Sequence, residues 1–525
     1  MTKETTVRDA VRTLMREWKL TTVFGNPGST EVGFLTNWPD DFRYVLGLQE
    51  SVVVAMADAF AQGTGNATVV NLHSAGGTGH GMGSLVTAYH NRAPLIVIAG
   101  QQSRSLLAED PFLGALDPAA FPRPYVKWSS QPARAENVPA AFARAYHLAT
   151  QPPRGPVFLS IPADDWNRPA PVPQAGPPIA PYAPDPEALA TVAATLDASE
   201  NPAFVVGAAV DADHAVPAVV ELAKKTRASV WTAPFAARGT FPETDPLFAG
   251  FLPPNRAGVA EALADHDFVL VLGAPAFTYH VVSGEDVPAL PALSVISDDP
   301  QVLARAPYAT AVLATPGKAA EGLATLVHNT ERAVPAPRRP TPPAAEPVPG
   351  RLMSAAFVYR TLGEFLPENA LLVEEAPTHR RDLQAQLPIS PPRGFLTMSS
   401  GVLGYGLPAA VGAALAEPAR PVVAVVGDGA SMYSIQALWT AAREQTAIVF
   451  IVLDNGGYAA VRNHVARAGA DKVPGIELGG LDFTALAHGM GCHGHRVETP
   501  DELRSNLVSA LTSPVPTVLH VLVAA

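Results

Sequence analysis

The chain has 525 residues, 48% hydrophobic and 16% charged, with a net charge of −12; that is apolar material for about three buried cores, and its diffuse acidity argues for solubility. No basic cluster stands out, which argues against a nucleic-acid partner, and the single cysteine, Cys492, excludes an internal disulfide framework. No apolar run approaches membrane-spanning length, and the opening MTKETTVRDAVRTLMREW is charged and helical, not a signal peptide, so the expectation is a soluble, cytoplasmic protein with no membrane partner.

Two Pro-rich stretches, Asn167 to Glu187 and Glu331 to Gly350, disfavour helix and read as linkers. They cut the chain into parts of ordinary domain size, with domains expected over 1–180, 188–330 and 350–525. In the first part, Thr6 to Trp18 is an amphipathic helix. Thr22 to Phe24 is a strand ending at Gly25-Asn26-Pro27-Gly28-Ser29. Tyr44 to Leu48 is a strand running into Gln49-Glu50, and a helix follows over 51–62. Ala67 to Leu72 is a strand ending at His73, where SAGGTGHGMG opens another helix; Leu95 to Ala99 is a strand ending at Gly100-Gln101-Gln102. Ser29, Glu50 and His73 therefore fall at strand carboxyl ends, the edge at which open parallel sheets bind ligands.

The middle part has strand candidates at Ala203 to Val206, Ser229 to Trp231, Phe268 to Leu272 and Leu293 to Ile296, with His280 just past FVLVLGAPAFTYH. The third part carries Glu374-Glu375 after a strand and the loop Ser399 to Gly404. The fold class is α/β, as three doubly wound domains with mainly parallel sheets.

The most informative stretch is Val422 to Tyr458. A β-branched run, Val422 to Val426, ends in Gly427-Asp428-Gly429; a helical pattern follows through Ile435, Leu438, Trp439 and Ala442. A second run, Ile448 to Leu453, ends in Asp454-Asn455-Gly456-Gly457. Strand, helix and strand in succession predict parallel neighbours, so Asp428 and Asn455 emerge together. A carboxylate and an amide oxygen suit Mg²⁺ or Ca²⁺ and not zinc, and Mg²⁺ held by few protein ligands usually bridges to phosphate. A helix N-terminus after Gly429 would favour a diphosphate. The bland reading, an Asp helix cap in an ordinary strand–turn–helix, loses ground once Asn-Gly-Gly follows the next strand.

Other motifs carry less. The glycines of 73–83 match no G-x-G-x-x-G register, Ser29 is not in a G-x-S-x-G elbow, and Cys492-His493-Gly494-His495 reads as a surface loop. Taken singly, Glu50, His73 and His280 would be a helix cap and two structural histidines; a shared position at strand ends favours a site.

GDG followed by Asp-Asn resembles the thiamine diphosphate motif, with Asp454 standing where that motif has its first Asn. GNPGSTE at 25–31, LQE at 48–50, NLHSAGGTG at 71–79, GQQ at 100–102, RPYVKWS at 123–129, GAPAFTYH at 273–280 and SIQALWTAA at 434–442 resemble thiamine diphosphate-dependent 2-oxo acid decarboxylases, most of all the benzoylformate decarboxylases. The resemblance implies a pyrimidine-binding, a central and a diphosphate-binding domain. It implies thiamine diphosphate held through Asp428, Asn455 and the Gly457 carbonyl as metal ligands, with Thr378, Gly401, Leu403, Gly429, Ala430 and Tyr458 also on the cofactor. Glu50 would hydrogen-bond N1′ of the aminopyrimidine, His73 would serve the addition step, His280 would serve carbanion protonation and product release, and Ser29 would bind the substrate carboxylate. Pro27, Pro377, Thr397, Ala460 and His464 would line the pocket with Ser29. Thr397 and His464 replace phenylalanines of the resembling family and Pro377 a threonine, which implies a benzoylformate-like 2-oxo acid or a smaller or more polar analogue. Because the resemblance gives Glu50 and Asp428 to two subunits, it implies at least a homodimer, and a homotetramer is expected. The alternatives are a carboligase resembling acetohydroxyacid synthase, and a non-catalytic thiamine diphosphate-binding protein.

Overall fold

A computed structural model of the chain describes residues 5–282, 288–336, 342, 345–348, 350–467, 469–470 and 473–524. Of the second Pro-rich stretch, residues 337–341, 343, 344 and 349 lie outside the described residues. The chain forms two compact units, one of residues 1–179, 346–380 and 400–525, the other of residues 180–345 and 381–399. Their strands form three sheets.

In the first unit, β1 (Thr22–Gly25), β2 (Arg43–Leu46), β3 (Thr68–Leu72), β4 (Leu95–Gln101), β5 (Ser129–Ser130) and β6 (Val157–Pro162) form one sheet in the order β2-β1-β3-β4-β6-β5. All its pairs are parallel. Every residue of β3, β4 and β6 is buried, as expected of parallel strands covered by helices on both faces, and this is why they read as continuous apolar runs. The chain leaves β1 toward β2 on one side and returns through β3 on the other. The carboxyl ends of β1 and β3 thus flank a topological switch point, the usual position of a ligand crevice.

In the second unit, β7 (Pro202–Val206), β8 (Ser229–Thr232), β9 (Phe248–Phe251), β10 (Phe268–Leu272), β11 (Ala292–Ser297) and β12 (Thr310–Leu313) take the order β12-β11-β10-β7-β8-β9, again with parallel pairs. Phe204, Leu270, Val219 and Leu323 are fully buried in its core.

The third sheet has β13 (Leu371–Glu375), β15 (Val422–Gly427), β16 (Ile448–Asp454), β17 (His493–Val497) and β18 (Thr517–Leu522) in the first unit, and β14 (Phe395–Thr397) lies in the second unit. Its first-unit strands run β13-β15-β16-β18-β17, all parallel. A second switch point falls between β13 and β15, and β16 lies next along the same edge. The expected parallel pairing of Val422–Val426 with Ile448–Val452 is present residue for residue.

Two local expectations are corrected. The segment after Gly429 is not one helix: Asp428–Ser431 forms a single helical turn, and a second helix starts at Ala437. Between them Tyr433, Ser434 and Ala437 make i→i−3 bonds to Ala430, Ser431 and Ser434, which tighten the chain out of α geometry. Nor is the Cys492 region a surface loop. Cys492 is 3% exposed and His493–Val497 is strand β17; burial pushes the thiol up to about 12, so it is an inert core group. No helix among the described residues is long and apolar enough to cross a membrane.

Candidate active site

At the switch point of the first sheet, the turn after β1 carries Pro27 and Ser29, both exposed, into a short 3₁₀ turn Ser29–Glu31. The end of β3 delivers His73, which caps the helix Ser74–His90. Glu31, 1% exposed, joins the two. One carboxylate oxygen, Oε2, accepts from the Gly28 amide at 2.8 Å and lies 2.8 Å from His73 Nδ1; the other, Oε1, accepts from the Gly100 amide at 2.9 Å and the Thr30 hydroxyl at 2.6 Å. Thr30 Oγ1 is itself 3.0 Å from His73 Nδ1. With so many donors on it Glu31 is an acceptor, which places the His73 proton on Nδ1 and leaves Nε2 for chemistry. A Cβ at Gly28 would stand 2.3 Å from His73 Nδ1, so the ring fits only over a glycine.

Glu50 opens the helix Glu50–Thr64 behind its cap Gln49, whose side chain accepts from the Ser51 amide at 2.6 Å. Glu50 is 8% exposed, and its Oε2 lies 3.2 Å from His80 Nδ1. The Ser74–His90 helix can come this close because it is thin there: a Cβ on Gly77 would be 3.2 Å from Glu50 Oε1.

At the edge of the third sheet, Asp428 is 3% exposed and accepts from the Gly429 and Gly457 amides at 2.8 and 2.7 Å. Burial pushes its carboxyl up to about 6; the Gly429 amide opposes that shift and the Asp454 charge adds to it. Asp454 is held below the usual carboxylate range by His520, whose Nε2 is 2.7 Å away and whose side chain is fully buried. The Asn455 amide nitrogen lies 3.0 Å from His379 Nε2, while its Oδ1 is buried with no hydrogen-bond partner. The unpartnered Asn455 amide oxygen and the buried Asp428 carboxyl are both hard oxygen donors, a type that suits Mg²⁺ or Ca²⁺. Gly429, Ala430 and Gly457 are buried beside Asp428; Tyr458 and Ala460 are half-buried and His464 is exposed on the helix Ala459–Arg467.

Pro377, exposed, and Thr378, half-buried, occupy the 3₁₀ turn after β13. Glu375 at the end of β13 is wholly buried, and its two oxygens accept from the Gly404 and Gly406 amides at 2.6 and 2.7 Å. It thereby fixes the loop that carries Gly401, exposed, and Leu403, half-buried. Burial pushes Glu375 up to about 7.

In the second unit, His280 follows β10, is exposed, and meets Phe235 edge-on with ring centroids 6.1 Å apart. Thr397 is fully buried and donates its backbone amide to the Ala237 carbonyl at 2.8 Å. The segment around Phe235–Ala237 thus touches both residues. In the first unit, Ser29, His73 and Glu50 gather on one sheet and Asp428, Asn455, Gly457 and Thr378 on another; no hydrogen bond among the described residues joins Glu50 to Asp428.

Glu31, His80, Glu375 and His379 were not legible as site residues. Glu31 and His80 stand inside GNPGSTE and SAGGTGH, motifs already singled out, yet nothing in the spacing says which way a side chain turns after a 3₁₀ turn or inside a glycine-rich helix.

Three family models match the chain: the N-terminal thiamine pyrophosphate (TPP) binding domain of thiamine pyrophosphate enzymes over residues 5–121, their central domain over 189–323, and their C-terminal TPP binding domain over 376–521. A benzoylformate decarboxylase of Pseudomonas aeruginosa is 41% identical over 98% of both chains. Among solved structures, the benzoylformate decarboxylase of Polynucleobacter necessarius superposes with a TM-score of 0.95 at 37% identity, over 99% of this chain and 98% of the other. The thiamine diphosphate-dependent 4-hydroxybenzoylformate decarboxylase of Rhodococcus jostii RHA1 gives 0.95 at 39%, over 99% of each. The α/β sheets, the paired switch points and matches along nearly the whole length agree, and the chain belongs to the thiamine pyrophosphate enzymes.

Proposed function

We propose that the protein is a carbon–carbon lyase that decarboxylates a 2-oxo acid, without oxidation, to an aldehyde and CO₂, and that its substrate is smaller or more polar than benzoylformate. The observation that carries this reading is the oriented His73, locked through Nδ1 by Glu31 next to Ser29, in a chain 41% identical to a benzoylformate decarboxylase.

The residues fit the cofactor on two counts: Asn455 Oδ1 is buried without a partner, and the Asp428 carboxylate lies in an environment that disfavours its charge until a cation arrives. Asp428, Asn455 and the Gly457 carbonyl would hold Mg²⁺ or Ca²⁺ and through it the diphosphate. Thr378, Gly429, Ala430 and Tyr458 would line the diphosphate end, with Gly401 and Leu403 against the rings. When bound, thiamine diphosphate supplies the electron sink that no side chain offers for the carbanion left by CO₂ loss.

The chain's own groups do the rest. Glu50 would hold and return a proton at N1′. Ser29 would donate to the substrate carboxylate, and His73, when protonated on both nitrogens and held through Nδ1 by Glu31, would donate from Nε2 to the substrate's keto oxygen during addition. His280 would protonate the carbanion carbon and assist release. Pro27, Pro377, Thr397, Ala460 and His464 would shape the pocket. The domains would be a pyrimidine-binding domain over 1–180, a central domain over 188–330 and a diphosphate- and metal-binding domain over 350–525, in a cytoplasmic homotetramer.

The test is CO₂ and aldehyde formation from a panel of aromatic, aliphatic and hydroxylated 2-oxo acids with thiamine diphosphate and Mg²⁺. Aldehyde in step with CO₂ supports the lyase. Products joining two 2-oxo acids, or no turnover of any acid by cofactor-loaded protein, would overturn it. Sedimentation is expected to show a dimer or tetramer for the active species; an active monomer contradicts the shared site.

A further inference from the structure

Glu50 is nearly buried, and among the described residues its carboxylate has one side-chain hydrogen-bond partner, His80 Nδ1 at 3.2 Å. The His80 side chain is 69% exposed, whereas that of Glu50 is 10% exposed. One imidazole therefore touches a shielded carboxyl with one nitrogen and reaches the surface of the chain with its body. Gly77, where a Cβ would stand 3.2 Å from Glu50 Oε1, keeps another side chain off the carboxylate. A group meant only to fix the carboxylate needs a donor and no more; an imidazole also has a second nitrogen able to exchange protons with water near neutral pH.

We propose that His80 is a positioning and proton-relay residue for Glu50, connecting that carboxyl to solvent. This rests on the role given to Glu50 above. When the Glu50 carboxyl gives its proton to N1′, Oε2 takes the Nδ1 proton of His80 and Nε2 takes one from a solvent acid. The imidazole stays neutral with its tautomer exchanged, and one proton has moved from solvent to the ring nitrogen. The reverse sequence returns it, and nothing is oxidised or reduced.

The experiment uses the cofactor-loaded protein without substrate. Exchange of the bound cofactor's C2 proton into D₂O is followed by acid quench and proton NMR, with calorimetry establishing that each variant binds thiamine diphosphate. His80→Ala is expected to slow exchange by about tenfold or more, a modest share of what a general acid–base group contributes. His80→Asn keeps a hydrogen bond but cannot pass a proton, and is expected to be equally slow. Added imidazole should restore exchange to His80→Ala and leave the wild type unchanged. Glu50→Gln is the reference. If it exchanges at the wild-type rate, the role of Glu50 falls and the relay with it. If it is slow while His80→Ala or His80→Asn exchanges normally, the relay alone is overturned.

Discussion

The Glu31 carboxylate holds the His73 imidazole by one edge: Oε2 is 2.8 Å from Nδ1, and the same carboxylate is anchored by the Gly28 and Gly100 amides and the Thr30 hydroxyl. Both the tautomer and the direction of Nε2 therefore depend on a residue that need not touch substrate. Glu31→Gln presents an NH₂ to donors that require an acceptor, and frees the ring. The expected outcome is a fall in kcat of about two orders of magnitude, the lower range of a general acid–base contribution, with thiamine diphosphate affinity nearly unchanged. Steady-state kinetics beside calorimetry checks this; unaltered kcat would leave His73 independent of Glu31.

The second prediction concerns Asp428. Its carboxyl is raised to about 6 by burial, so it is ionised above that pH and protonated below it. A metal ligand must be deprotonated to bind. Apparent Mg²⁺ and cofactor affinity should therefore fall as pH drops through about 6, by roughly tenfold per unit if one proton competes. Asp428→Ala should lose cofactor at every pH, be partly rescued by excess Mg²⁺ and thiamine diphosphate, and show a flatter pH dependence. Calorimetry at pH 5, 6 and 7.5 tests it; equal affinities in the two proteins would remove Asp428 from the metal site.

Much of this arrangement was legible because fully buried parallel strands announce themselves as apolar runs. β3, β7, β10 and β15 fall within about a residue of their expected limits, and the candidate residues His73, His280 and Asp428 follow β3, β10 and β15. What escaped is structure decided by contacts remote in sequence. The two-residue β5 exists only as a partner of β6. Glu31 finds Gly100 across 69 positions, and Asn455 finds His379 across 76. The break after Ser431 escaped for another reason: residues 435–442 keep a helical apolar rhythm whether or not the preceding turns are α.

The third prediction uses Glu375, whose carboxyl burial raises to about 7 from an ordinary 4.5. The folded state binds the proton more tightly than the unfolded chain, so the sign is negative. Stability falls as pH rises from about 4.5 to about 7, and the loss is complete above that. Glu374, adjacent on β13, adds its charge to the shift. Glu375→Gln removes the ionisation but sets its NH₂ against the Gly404 or Gly406 amide, at a cost of about 1–3 kcal/mol. The variant should therefore melt below the wild type at pH 5, by a margin that shrinks as pH rises toward about 7 and stays constant above it. Melting curves across pH 5–8 decide it, and a constant gap would mean that Glu375 does not titrate there.

The last prediction is substrate choice. Thr397 and His464 stand where the resembling family has aromatic walls, and their sites differ: Thr397 is fully buried and His464 is exposed on the helix Ala459–Arg467. A methylene more or less in an apolar pocket is worth about 1–3 kcal/mol, or roughly 10- to 200-fold in discrimination. Removing two rings could thus shift preference well away from a phenyl group, and His464 adds a donor for a polar or anionic one. The expected outcome is that a smaller or more polar 2-oxo acid exceeds benzoylformate in kcat/KM. Thr397→Phe with His464→Phe should move the ratio back. A ring forced into the filled Thr397 site costs about 1–3 kcal/mol in overpacking, so His464→Phe alone is the cleaner arm, and a melting curve separates misfolding from altered choice. Specificity constants for aromatic, aliphatic and hydroxylated 2-oxo acids decide the matter. If the wild type already prefers benzoylformate and His464→Phe leaves the ratio unmoved, His464 does not face the substrate, and the preference must be set elsewhere, with the exposed Phe112 and Leu113 the next residues to exchange.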